Sequence, residues 1–88
     1  MISLYRGMSL DDFDRLRETG LYTPNPNNPH NDATTDLETA RYYASTSVHD
    51  DEGVVVQFFT QLSNVKRDEI VSADYKVLNP IFVSYKLV

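Results

Sequence analysis

The hydrophobic period of this chain changes once, at Gly53, and that change limits the folds open to it. Before Gly53 most apolar residues recur at the three- and four-residue spacings of helices, and after it they alternate or run together as strands do. Val54-Val55-Val56-Gln57-Phe58-Phe59-Thr60 is the strongest strand signal, β-branched and aromatic throughout, and reads as a central strand. Ile81 to Val88 alternates, with Ile81, Val83, Tyr85 and Leu87 on one side and Ser84 and Lys86 on the other. Tyr75-Lys76-Val77-Leu78 reads as a strand stopped by Asn79-Pro80, and Glu69-Ile70-Val71-Ser72 as a shorter one. Gln61 to Asp68 reads as a polar connection between them.

The N-terminal half opens with one strand, Ile2 to Arg6. A helix then starts at Ser9-Leu10-Asp11-Asp12, where Ser9 is a cap and the acids suit the positive end of the helix dipole. Met8 is placed to pack on Phe13, while Leu10, Phe13 and Leu16 make an apolar stripe and Gly20 is the C-terminal stop. Thr23 to Asp32 holds three prolines and four asparagines, which forbid helix and central strand and leave a semi-stiff polar loop. Ala33-Thr34-Thr35 is a strand tip, and Thr35-Asp36-Leu37-Glu38 matches a capping box with Thr35 as cap. The second helix has Leu37, Ala40, Tyr43 and Ala44 on its inner side and ends near Ser45 to Ser47, before a turn at His49 to Gly53. This order predicts one α+β domain over residues 1–88, with a mostly antiparallel sheet and two short helices in the N-terminal half.

Composition narrows the function. The absence of cysteine removes disulfides, thiolate metal sites and cysteine nucleophiles, and a small chain without disulfides suits the cytoplasm. A net charge of −5 disfavours nucleic acid as the main partner, since phosphate backbones need a basic face. No stretch is long enough to span a membrane, and the N-terminus lacks the pattern of a signal peptide. His30 and His49 lack the spacing of a zinc site, so no metal is expected.

Arg6 is the residue around which a ligand site is most readily built. Its planar guanidinium matches phosphate or carboxylate at two points, and Gly7 beside it leaves room for a ligand near the backbone. Thr34 is a hydroxyl at a strand-to-helix junction, where a helix N-terminus favours anions. Glu69 and Asp74, in or near the late strands, are the carboxylates able to steady an oxocarbenium-like transition state in glycosidic cleavage. Each also has an ordinary structural reading, Arg6 as an edge arginine paired with an acid and the two carboxylates as charged edge positions that discourage strand pairing.

Leu4-Tyr5-Arg6-Gly7, the helix ending at Gly20-Leu21-Tyr22, the run Ala33-Thr34-Thr35-Asp36-Leu37-Glu38-Thr39-Ala40-Arg41-Tyr42-Tyr43-Ala44 and the strand Val54-Val55-Val56-Gln57-Phe58 together resemble the small bacterial and phage members of the ADP-ribosyltransferase-like fold. The resemblance implies NAD as ligand, with Arg6 at the first-strand arginine that contacts the dinucleotide and Thr34 at the position supporting the nicotinamide pocket. It also implies that the loop from Thr23 to Asp32 lies over the cofactor, and that ADP-ribose is transferred to a protein target. The family's late Glu-x-Glu strand aligns with Asp74-Tyr75-Lys76-Val77-Leu78, so aspartate stands at the first place and lysine at the second, where the family carries its essential carboxylate. That departure opens a second expectation: a non-catalytic acidic inhibitor, of phage or toxin–antitoxin type, that keeps the fold and blocks a protein partner.

Overall fold

The computed structural model describes residues 1–24, 33–45 and 53–88. Most of the expected polar loop (Asn25 to Asp32) and of the expected turn at His49 lie outside them, as do His30 and His49 themselves. The elements in chain order are β1 (Ile2–Met8), α1 (Leu10–Thr19), β2 (Leu21–Tyr22), β3 (Ala33–Thr34), α2 (Leu37–Ser45), β4 (Val54–Thr60), a 3₁₀ turn (Leu62–Asn64), β5 (Val65–Arg67), β6 (Asp74–Val77), β7 (Ile81–Phe82) and β8 (Ser84–Leu87). Six strands form one sheet in the order β5-β6-β3-β1-β4-β8, with every neighbouring pair antiparallel. β2 and β7 pair separately as a small antiparallel ribbon. This is the α+β domain read from the sequence, with both helices in the N-terminal half.

β1 and β4 are the axis of the sheet and pair along their whole length, from Ile2 opposite Thr60 to Met8 opposite Val54. Strand alternation sends Leu4 and Met8 of β1 and Val56 and Phe58 of β4 to one face, where Leu16 of α1 and Tyr22 of β2 complete the main core. Tyr5 and Val55 point to the opposite face, where Leu37, Ala40 and Ala44 of α2 cover them. The two helices therefore lie on opposite sides of the sheet.

α1 begins and ends as its sequence predicts. Ser9 Oγ accepts from the Asp12 N–H at 3.2 Å, and Gly20, left-handed at φ 69°, donates its N–H to the Leu16 carbonyl. The expected apolar stripe is shorter than read, because Leu16 is buried and Phe13 half-buried while Leu10 is exposed.

α2 is capped one residue later than expected. Asp36, not Thr35, accepts from the Glu38 N–H (3.1 Å) and the Thr39 hydroxyl (2.7 Å), and its carbonyl takes the Ala40 N–H. Thr35 is drawn away because its N–H and hydroxyl both donate to the Ala73 carbonyl in the turn before β6.

Three late elements differ from the sequence reading. The segment Glu69 to Ser72 is a turn, held by the Asp68 carboxylate, which accepts the N–H groups of Ile70 and Val71. The strand lies earlier instead, as β5, in what reads as a polar connection. The alternating run after Pro80 divides into β7 and β8, because Val83 donates its N–H to the Gly20 carbonyl and turns the chain from the small ribbon to the main sheet.

Candidate functional site

Arg6 sits on β1 between Leu4 and Met8 and shares their face, the α1 side. An arginine on an inward-facing position of a central strand needs a polar partner. Tyr22 supplies one: its hydroxyl accepts from Arg6 Nη1 at 2.9 Å. Tyr22 is itself buried and stacks on Phe58, with ring centroids 4.6 Å apart and planes 28° from parallel. Phe58 is fully buried, so the hydroxyl that orients the guanidinium is braced by the core.

A cleft of about 450 Å³ opens over this arginine, between β1, α1 and the chain leaving β2. Its size is that of a small-ligand site. Met8, Leu16, Leu21 and Pro24 give it apolar walls, and Asp12 and Arg15 of α1 also line it, joined by an ion pair of 3.3 Å. Among the described residues the lining carries two arginines and one aspartate. Such a lining favours an anion with some apolar surface.

The other predicted site residues lie elsewhere. Thr34 faces both Tyr5 and Asp74 across the strands, so all three belong to the α2 side of the sheet, opposite to Arg6. Thr34 is buried, and its hydroxyl oxygen accepts the Asp36 N–H at 3.0 Å. Asp74 is 4% exposed, and its Oδ1 has no hydrogen-bond partner among the described residues. Lys76 follows on the same side of β6 and faces Lys66 of β5. Glu69 is exposed in the β5–β6 turn.

Gly7 also faces away from the cleft. A Cβ at this position would collide with the Ala40 carbonyl oxygen and the Ala44 nitrogen, so the glycine makes room for α2 where a ligand was expected. The structure thus brings Thr34 and Asp74 together, and leaves Arg6, Gly7 and Glu69 in three other surroundings.

Sequence reasoning missed the residues that share the cleft with Arg6. Asp12, Arg15 and Leu16 have the three- and four-residue spacing that puts them on one helix side, yet Asp14–Arg17 and Glu38–Arg41 form the same i, i+3 pairs on open surface. Spacing alone does not distinguish them. Tyr22 had a faint signal, as a tyrosine following a helix stop and returning to the core. Among the described residues no group of three or more histidine, aspartate or glutamate side chains is placed to hold a metal, and no helix is long and apolar enough to cross a membrane. No protein-family model, no curated protein and no solved structure matches this chain.

Proposed function

We propose that this chain is a nucleotide-binding protein of ADP-ribosyltransferase-like build, with NAD as its ligand and Arg6 as the contact to the dinucleotide's phosphates. One observation carries the reading: a guanidinium held on a central strand by a braced tyrosine and lining a cleft of ligand size. The strand arrangement adds support, since Arg6, Thr34 and Asp74 fall on the three adjacent strands β1, β3 and β6. These correspond to the first strand, the threonine strand before a helix and the late strand on which the resemblance puts its arginine, hydroxyl and carboxylate.

ADP-ribose transfer to a protein target in the cytoplasm is the activity this reading implies, with Asp74, or Glu69, as the carboxylate. A second reading, a non-catalytic protein that blocks a partner, is favoured by a specific observation: Lys76 occupies the place of the essential carboxylate, and Asp74 lies across the sheet from Arg6. A lysine cannot stabilise a developing cation.

Titration calorimetry with NAD tests binding. Wild type binds, and Arg6→Ala weakens binding at least tenfold, the scale of about 1.5–3 kcal/mol for a hydrogen bond to a charged group; Arg6→Lys keeps the charge but loses the fork. Absence of NAD binding by the folded wild type defeats the nucleotide reading. Labelled NAD incubated with cell extract tests transfer: label on a protein that disappears with Asp74→Asn or Glu69→Gln supports the enzyme, and binding without transfer supports the second reading.

A further inference from the structure

We infer that Phe82 is an aromatic platform beside the cleft, next to its Leu21 wall, on which a flat ring at one end of the bound nucleotide stacks. This role rests on the nucleotide reading and adds a contact for the ring to it, drawn from the apolar wall of the cleft and not from its charges.

In the ribbon of β2 and β7, Leu21 stands opposite Phe82 and Tyr22 opposite Ile81. Directly opposed residues share a face, with side chains about 5 Å apart. Tyr22 and Ile81 pack on the main core, so Leu21 and Phe82 take the outer face. Leu21 belongs to the apolar wall of the cleft, together with Met8, Leu16 and Pro24. Phe82 extends that wall by one side chain beyond the rim. It is 79% exposed, more than any other aromatic among the described residues. Met1 and Ile70 are more exposed still, but neither is paired in register with a residue of the cleft lining. Phe82 is therefore the exposed apolar side chain that continues a ligand-sized space.

The ring also has a set position. Phe82 is held by its pairing with Leu21, and the next residue, Val83, donates its N–H to the Gly20 carbonyl at 3.1 Å. A Cβ added at Gly20 would stand 4.0 Å from Phe82 Cδ1, so one edge of the ring lies beside the glycine that ends α1. Among the described residues the ring stacks on no other. An aromatic side chain placed in advance loses little further freedom when a flat ring covers it. A nucleotide joins a sugar-phosphate part to such a ring, and a dinucleotide carries one at each end. With the sugar-phosphate part in the cleft, the ring that passes over Leu21 meets Phe82. Stacking of this kind is tolerant of ring identity, because every base has a π-face, so adenine and nicotinamide share the chemistry required.

Calorimetry on the full chain with NAD, ADP-ribose and nicotinamide mononucleotide tests this, since the last two each keep one ring of the first. Phe82→Ala is expected to weaken NAD by about fivefold or more, the factor matching the lower end of base–aromatic stacking. The same variant is expected to weaken only one of ADP-ribose and nicotinamide mononucleotide, and that ligand names the ring. Phe82→Leu, which keeps apolar bulk without a π-face, is expected to behave as Phe82→Ala, and Phe82→Tyr as wild type. The urea midpoint is expected to stay near that of wild type in all three variants, because the side chain is exposed. Leu62→Ala, a change at another exposed apolar residue, is the control and leaves every affinity unchanged. If Phe82→Ala leaves NAD affinity unchanged, if Phe82→Leu binds as wild type does, or if ADP-ribose and nicotinamide mononucleotide weaken alike, Phe82 is not a stacking platform, although the nucleotide reading survives. If no ligand binds wild type, both are overturned.

Discussion

The two sides of the central sheet are built to different rules. On the α1 side the contacts are large: Leu4, Met8, Leu16, Tyr22 and Phe58 fill the space between helix and strands. On the α2 side they are small, with Ala40 and Ala44 lying over Gly7 and Val55, so that helix backbone nearly touches strand backbone. Large spacers hold α1 away from the sheet and leave a cleft at its rim, whereas alanine and glycine leave α2 no such gap. This explains why ligand-sized space is found beside Arg6 and not beside Gly7, although the two residues are neighbours in sequence. Adjacent residues on a strand face opposite sides, and only one side has room.

Removing the spacer should do the most damage. Phe58→Ala empties the centre of the α1-side core and strips the support from Tyr22, and a loss of about 3–5 kcal/mol is expected in urea denaturation. A loss well below that range would mean that the cleft wall does not depend on the core beneath it. Gly7→Ala tests the other side. It inserts a methyl group against α2 backbone, which cannot move as a side chain tip can, and overpacking of this kind costs about 1–3 kcal/mol or more. Unchanged stability with this variant would show that α2 does not lie flat on β1. The smallest effect is at the α2 N-terminus: Asp36→Ala should cost about 1 kcal/mol as a lost cap. Thr35→Ala removes only the hydroxyl bond to Ala73, and equal losses for the two variants would erase the distinction between cap and tether.

The parts of the fold that were legible in the sequence are those where burial imposes a period. β1 and β4 are long and internal, β4 as a near-continuous apolar run, and α1 has its cap and its left-handed glycine written in residue type. β5 was not legible because two of its three residues, Lys66 and Arg67, are exposed at a sheet edge, where charge is tolerated and even useful. The division between β7 and β8 was hidden by an alternation that continues unbroken through Val83, since both strands keep the same inward parity.

Arg6 stood out as a cation on an apolar strand. Its separation from Thr34 and Asp74 depends on the register of β3 against β1, fixed by the single pair Tyr5–Thr34, and no local pattern encodes such a long-range pairing. Its companionship with Arg15 depends on where α1 docks, which the helix's own spacing does not state.

The pairing of β2 with β7 gives the cleft a place in the order of synthesis. Leu21 and Tyr22, which line the cleft and of which Tyr22 orients Arg6, pair with a strand at Ile81–Phe82. The two segments are roughly sixty residues apart in sequence, a long loop whose ends meet late in folding. During translation Arg6 leaves the ribosome well before Ile81 and Phe82, so its wall is secured only after the intervening stretch has followed. The chain therefore passes through synthesis with Arg6 exposed and its cleft unfinished, and a product that stops short of Phe82 carries the arginine without the paired strand that steadies its tyrosine.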